Sequence, residues 1–506
     1  MPQTLPPAIM FQGTCSSAGK SLLATAFCRL LARRHLRVAP FKAQNMSLNS
    51  FVTPKGEEIG RAQALQAEAC FQEPSALMNP VLLKPAHDHT SHIIRLGRPY
   101  GVLKSQDFLQ RREDLWKTVQ EAYVTLAENC DVVVLEGAGS PAEINLRDHD
   151  IVNMRMAQFA EASVILVADI DRGGAFAALT GTMQLLLPDE RARVLGFILN
   201  KFRGDASLLE TAVHEVSRIT KRPFLGIMPW IPDLNLPDED SVSFKEKKNA
   251  SRSDALEILL LDLPHISNTT DFDALSHEDD ISLQKVSRLE DWHDAPCVII
   301  PGSRSTADDL TFLRESRLDQ CLVRYAQKCL AQGSGMLIGI CAGYQMLGEV
   351  LDDPCRIEHK ESIPCLSILP IRTTISEEKT LGQKTCVSSP MLTHDPLPVT
   401  GYEIHHGKSF PTQHTLHIVL EDKEKRPLGF GLPDKKGHIR VWGTYLHGIF
   451  DSDAFRNVLL NEIRHDANKQ KRIIKLYRKD DEINRLADIF EKNIQVNILL
   501  DNLGIL

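Results

Sequence analysis

The stretch AIMFQGTCSSAGKSLLATAFCRLLARR, residues 8–34, decides the fold of the first half of the chain. Ala8–Phe11 is a short apolar run, Gly13-Thr-Cys-Ser-Ser-Ala-Gly-Lys-Ser21 is a loop of small residues, and Leu22–Arg34 carries a helical pattern. A strand, a small-residue loop and a helix in that order gather backbone N–H groups and the positive end of a helix around one point, a cradle for phosphate oxygens. Gly13, Thr14, Ser17 and Gly19 would line it for ATP, Lys20 would reach the β- and γ-phosphates, and Ser21 would hold Mg²⁺. Five residues rather than four separate Gly13 from Gly19, so Thr14 stands in the usual first-glycine place. The plainer alternative is a glycine-rich turn without a ligand; Gly-Lys-Ser at the helix start favours a nucleotide.

Outward from this loop, further apolar runs alternate with helical stretches: Arg37–Phe41, Val132–Glu136, Val164–Asp169, Val194–Asn200 and Phe224–Met228. Such runs read as buried parallel strands covered on both faces, an α/β fold. Glu136 closes one run and precedes Gly137-Ala-Gly139, where open α/β sheets bind ligands. It is a candidate Mg²⁺ ligand, or else a capping or ion-paired carboxylate. Asn200 closes another and could contact the adenine edge, or simply form a turn.

From Trp230 to Asp254 the composition changes, with Pro232, Pro237, Asp238–Asp240 and the charged stretch Lys245–Asn249, and a linker is expected over 236–254. A second α/β series follows, with strands at Leu256–Leu261, Val298–Pro301 and Met336–Ile340. The expected division is 1–235, the linker, 255–460, and a helical, basic tail over 461–506.

Gly339-Ile-Cys341-Ala-Gly343 directly follows the run Met336–Ile340. Small residues two before and two after a nucleophile permit the sharp strand-to-helix turn that presents its side chain. Cys341 would sit at a helix start, where a thiolate is favoured, with the N–H of Ala342 in an oxyanion hole. His447, in Gly443-Thr-Tyr-Leu-His-Gly448 after the run Val441–Tyr445, is the candidate base; a buried structural cysteine and a satisfied polar histidine are the plainer alternatives. His405 and His406, in Gly401-Tyr-Glu-Ile-His-His-Gly407, lie between predicted strands and are expected to shape a pocket or loop rather than bind metal.

Length and composition bound these readings. At ~150 residues per domain, 506 residues allow about three domains, or two if one is large. The 58 Lys+Arg against 66 Asp+Glu leave a net charge of −8, against a general nucleic-acid binder. Hydrophobic content of 43% and charged content of 25% fit a soluble globular protein. No apolar run reaches the ~18 residues that would cross a bilayer, and the N-terminus lacks a basic segment followed by an apolar one, so a cytoplasmic location without membrane partners is expected. Eleven Cys without paired spacing indicate neither a zinc ribbon nor a disulfide framework.

Beyond the two motifs, FKAQNMSLNS (41–50), EIGRAQALQAEA (58–69), MNPVLLKP (78–85), EGAGSPAEINLRDHDIVNM (136–154), DIDRGG (169–174), NKFRGD (200–205), LPDEDS (236–241), LPHISN (263–268), GICAGYQMLG (339–348), GYEIHHG (401–407) and TYLHGIFD (444–451) resemble the cobyric acid synthase family, glutamine-dependent amidotransferases of cobalamin biosynthesis. The resemblance implies an N-terminal P-loop domain similar to dethiobiotin synthetase and a C-terminal domain similar to class I glutamine amidotransferases. It implies ATP- and glutamine-dependent amidation of the b, d, e and g carboxylates of adenosylcobyrinic acid a,c-diamide through an acyl phosphate, Cys341 being the nucleophile and His447 its partner. A shielded route for ammonia is implied too. Asn45, Asn145, Asp148 and Asp150 are candidates for the synthetase pocket, though polar loop residues also form turns. Ala342 replaces a frequent Gly, Arg304 a usual Lys and His406 a common Met. Ile449 stands where class I amidotransferases carry a Glu two residues after the His, so a third catalytic member is missing or comes from elsewhere. The alternatives are the synthase that amidates the a and c carboxylates, and a P-loop ATPase with a vestigial amidotransferase domain; oligomeric state is left open.

Overall fold

A computed structural model describes residues 5–85, 90–232, 234–237, 255–359 and 362–505. The chain forms two compact units, Met1–Glu239 with Arg478–Leu506, and Asp240–Tyr477. Beyond Pro237 the expected linker lies outside the described residues.

The first unit is built on six parallel strands, β1 (Ala8–Gly13), β2 (Val38–Phe41), β3 (Val132–Glu136), β4 (Ser163–Asp169), β5 (Val194–Phe202) and β6 (Phe224–Pro229), in the order β6-β5-β4-β1-β3-β2. Each expected strand is present with ends shifted by a few residues. Alternate side chains feed two cores: Ala8 and Met10 face one, Ile9 and Phe11 the other, and all four are buried. Two-sided burial explains why these strands read as unbroken apolar runs. The chain leaves β1 for the sheet edge and returns to both sides of it, so the loop after β1 sits at a switch point where such sheets bind ligands.

The second unit has an 11-stranded sheet. Its parallel part runs β8 (Ile281–Val286), β7 (Leu256–Leu261), β9 (Cys297–Ile300), β10 (Met336–Ile340) and β15 (Ile439–Thr444). Beyond β15 it continues antiparallel through β14 (Pro427–Pro433), β13 (His417–Asp422), β11 (Ile371–Ser388) and β12 (Pro398–Pro411). His405 and His406 therefore lie inside β12, not between strands. Tyr402–His405 are consecutively buried or nearly so, leaving no alternation to betray the strand.

The expected tail 461–506 is not one element. A helix, Asp453–Asp466, crosses its start, and the chain up to Tyr477 belongs to the second unit. From Arg478 on it belongs to the first, where the helix Lys479–Asn493 packs on α1 (Lys20–Ala32). Phe490 meets the rings of Phe11 and Phe27 at 6.4 and 6.0 Å, and Arg29 pairs with Asp480 at 2.5 Å. The apolar stripe of this helix explains the division, because α1 offers the matching face. Among the described residues no helix is long and apolar enough to cross a membrane.

Candidate active sites

In the first unit the loop after β1 starts with Thr14 N–H donating to the Val167 carbonyl at 2.9 Å, tying it to β4. It ends at Gly19, with φ 92° before α1. A Cβ there would stand 2.0 Å from Asn200 Nδ2, so only glycine lets the strand end close on the loop. Lys20 Nζ donates to the carbonyls of Cys15 and Gly139 at 3.1 and 3.2 Å, so its ammonium lies across the mouth of the loop.

Glu136 is 1% exposed at the end of β3. Its Oε1 accepts from Ser21 Oγ and from Lys42 Nζ, each at 2.8 Å. Its Oε2 accepts from Gln66 Nε2 at 2.6 Å, with Gln63 Nε2 farther at 3.5 Å. Asn45, buried, donates to Gln63 Oε1 at 3.0 Å and so belongs to the same network. A buried carboxylate is tolerated because a buried ammonium and neutral donors compensate it. Ser21 and Glu136 are thus adjacent, a hydroxyl and a carboxylate whose oxygens suit a phosphate-bound Mg²⁺. Among the described residues no three His, Cys, Asp or Glu side chains gather to hold a metal by themselves, so phosphate and water oxygens would supply the rest of the shell.

In the second unit β10 and β15 are parallel neighbours, with Ile340 opposite Thr444, so the residues after each strand emerge side by side. Cys341 has φ 51° and ψ −107°, a strained conformation for a residue with a side chain, directly before a short helix starting at Ala342. A Cβ on Gly343 would lie 2.1 Å from the Ile300 carbonyl oxygen, which is why the elbow needs glycine there. Cys341 is 8% exposed, and its Sγ faces the Ile404 carbonyl at 3.9 Å. Ala342, as the first helical residue, has an N–H with no intrahelical acceptor.

His447 is fully buried and stacks on Tyr402 at 5.3 Å between ring centres. Its Nδ1 lies 2.7 Å from Asp271 Oδ2, while Asp271 Oδ1 accepts from Gly448 N–H at 2.8 Å. The carboxylate fixes the tautomer with the proton on Nδ1. Among the described residues Nε2 has no hydrogen-bond partner of ordinary geometry, although the Cys341 sulfur is near enough to act on the ring as hydrogen-bonding and charged neighbour. Burial pulls the imidazole down, but the charges of Asp271 and Cys341 outweigh it and raise His447 to about 10. An imidazole that holds its proton opposite a cysteine sulfur can serve a sulfur nucleophile as its acid and base.

Residues 9–244 match the CobQ/CobB/MinD/ParA nucleotide binding domain family, and residues 257–455 match the CobB/CobQ-like glutamine amidotransferase domain. A cobyric acid synthase of Carboxydothermus hydrogenoformans is 45% identical, covering 98% of this chain and 99% of its own. One from Nitratidesulfovibrio vulgaris is 42% identical, covering 99% and 98%. The chain belongs to the cobyric acid synthase family. It is accordingly a glutamine-dependent amidotransferase with a nucleotide-binding domain. A solved glutamine amidotransferase structure aligns with 42% of this chain and 98% of its own, at 15% identity and a TM-score of 0.31.

The carboxylate beside the histidine, which Ile449 cannot supply, is that of Asp271, 176 residues before His447. It lies in a short turn, Thr269–Phe272, three residues beyond LPHISN, and no spacing rule connects it to His447. Lys42, within FKAQNMSLNS, and Gln66, within EIGRAQALQAEA, were equally hidden: in a sequence, a lysine and a glutamine between apolar residues look like surface positions.

The substrate candidates separate. Asn45 is in the Glu136 network, whereas Asn145 and Asp148 are exposed on the segment around Arg147–His149. Asp150 Oδ1 accepts from the N–H groups of Val152 and Asn153 at 3.0 and 2.9 Å, so that oxygen serves a turn. That turn is useful, because Asn153 then exchanges two hydrogen bonds with Ala138 at 3.2 and 2.8 Å and braces the loop beside Glu136. Asn200 spends an amide hydrogen on the Ala18 carbonyl at 2.8 Å, which makes it first a brace of the phosphate loop. His405 bonds the Gly407 carbonyl and Glu403 at 2.7 and 3.1 Å and stacks on Tyr445, as a wall of the strand.

Proposed function

We propose that this protein is a cobyric acid synthase that amidates the b, d, e and g carboxylates of adenosylcobyrinic acid a,c-diamide, using one ATP and one glutamine for each amide. The Cys341–His447–Asp271 array carries the nitrogen half of the reading. Cys341 Sγ attacks the amide carbon of glutamine, with the Ala342 N–H facing the oxygen that gains charge. His447 gives its Nε2 proton to the departing nitrogen, and neutral ammonia leaves behind a thioester. Water, deprotonated by the same nitrogen, then cleaves the thioester to glutamate and restores the thiolate. Asp271 keeps the ring oriented and offsets its charge throughout.

The other half needs an electrophile, since a carboxylate does not accept ammonia. A carboxylate oxygen of the corrinoid attacks the γ-phosphorus of ATP, ADP departs, and ammonia attacks the acyl phosphate with loss of inorganic phosphate. Gly13, Thr14, Ser17, Gly19 and Lys20 face the phosphates, and Ser21 with Glu136 would hold Mg²⁺. That ion supplies charge neutralisation on the transferring phosphoryl group. Lys42 adds a buried cation beside the same carboxylate, and Asn45 is the candidate from the pocket that remains tied to it.

The experiment is a count of new amides by mass spectrometry after incubation with ATP, glutamine and the a,c-diamide. Four are expected. No amidation of the a,c-diamide, with two amides added to unamidated cobyrinic acid, would overturn the reading in favour of the a,c-diamide synthase.

A further inference from the structure

Two consecutive residues near the end of β5 hold two consecutive carbonyls of the phosphate loop. Asn200 Nδ2 donates to the Ala18 carbonyl at 2.8 Å, and Lys201 Nζ donates to the Ser17 carbonyl at 2.7 Å. Neighbours in a regular strand point to opposite faces, so an adjacent pair does not ordinarily serve one loop. Lys201 has φ 62°, and this left-handed residue breaks the alternation. Ser17, the residue it holds, is also left-handed at φ 59°. Two such non-glycine positions facing each other persist only where the surroundings fix them.

The fixing group is Asp169. It ends β4 opposite Asn200 in the parallel register, it is buried, and its Oδ2 accepts from Lys201 Nζ at 2.7 Å. Its Oδ1 accepts from Asp171 N–H at 3.0 Å, and Arg172 Nε stands 3.7 Å from Oδ2.

A trans peptide points its C=O and N–H in opposite directions. Drawing the Ser17 and Ala18 carbonyls toward β5 therefore turns the N–H groups of Ala18 and Gly19 away from β5. We infer that Lys201, anchored by Asp169, is a positioning residue for ATP that aims the Ala18 N–H at the phosphates, beside the Gly19 N–H that Asn200 turns the same way. The inference rests on the proposed reading of the loop as an ATP site.

The test measures ATP affinity of the full-length protein by titration calorimetry, with KM for ATP and kcat of ammonia-dependent amidation alongside. Lys201→Met is expected to weaken ATP binding about 10- to 100-fold, the loss of one charge-assisted hydrogen bond. KM for ATP rises in parallel while kcat at saturating ATP stays within about threefold. Asp169→Asn gives a smaller loss in the same direction. Wild-type affinity in Lys201→Met would overturn the inference. So would wild-type affinity in Asp169→Asn beside a weakened Lys201→Met, because the ammonium would then act without its anchor. A fall in kcat with unchanged KM would show a merely structural role and overturn it too. Lys20→Met separates the two claims: if it binds ATP as wild type does, or if wild type binds none, the loop reading itself fails.

Discussion

The two sites solve the same problem, a buried charge, in opposite ways. In the second unit, protein groups alone close the constellation: Asp271 faces one nitrogen of His447, and Cys341 lies on the side of the other. In the first, Glu136 is shared among Ser21, Lys42 and Gln66, so that groups suited to a magnesium phosphate satisfy one another. The nitrogen-releasing site is preorganised and must only admit an amide. On the proposed reading, the phosphate site would exchange its internal contacts for those of a ligand that brings its own charge. Preorganisation matters most where charge develops in the protein's own groups.

The largest effect that would break this contrast is Cys341→Ser. Glutamine-dependent amidation should fall by about 10⁴-fold or more, because the nucleophile is lost, while ammonium salts still support the reaction. Both activities vanishing together in a folded variant would mean that the sites are not separable. Lys20→Met should lower synthesis from either nitrogen source by about 10²- to 10³-fold, with glutamine hydrolysis measured alone remaining. Asp271→Asn leaves the shape intact and removes the charge that holds His447 up. Glutaminase activity should fall about 10²-fold or more, through a misoriented and less basic imidazole. Its pH profile should also change, the group assigned to His447 titrating lower than in wild type. An unchanged profile would remove Asp271 from the catalytic array.

Lys42→Met tests the other side of the comparison through stability. Removing one partner of a buried ion pair strands the second, at a cost of about 3–5 kcal/mol. The double variant Lys42→Met/Glu136→Gln should recover much of this, since no uncompensated charge remains. Denaturant unfolding of the three proteins reads the difference. Equal losses in the single and double variants would show that Lys42 stabilises by packing and that Glu136 was never charged.

What could be read from the sequence divides along a related line. Strands buried on both faces, such as Val132–Glu136 and Met336–Ile340, announce themselves as apolar runs, and the residues that end them fall at the ligand-binding edge for topological reasons. Lys20, Ser21, Glu136, Cys341 and His447 stand out in the sequence because each ends or closely follows a strand, or opens a helix. The antiparallel strands do not. Ile371–Ser388, IRTTISEEKTLGQKTCVS, is largely polar and only partly buried, without a sustained two-residue period. Asp271, Lys42 and Gln66 were invisible for another reason: their roles are set by partners far along the chain, and a polar residue carries no local mark of burial. The tail was misjudged because its helices seek faces in different units, a matter of packing rather than propensity.

The smallest expected effect concerns the proton on His447. Its folded-state value of about 10 lies above the ordinary 6.5, so the folded protein binds more protons than the unfolded chain between those values. Stability from this group is fully present below pH 6.5 and is lost as pH rises through about 10. Because Cys341 and Asp271 share in the shift, the titration belongs to the cluster rather than to one ring. A His447→Gln variant lacks the linkage. The advantage of wild type over this variant in thermal midpoint should therefore shrink as pH is raised from 7 to 10, by about 2–4 °C for each kcal/mol lost in a unit of this size. Repeating the scan in Cys341→Ser should leave a shallower slope, since one of the two charges favouring the imidazolium is gone. A gap between wild type and His447→Gln that is flat with pH would mean that the histidine is neutral at rest, and would shift the first proton transfer to the moment glutamine binds.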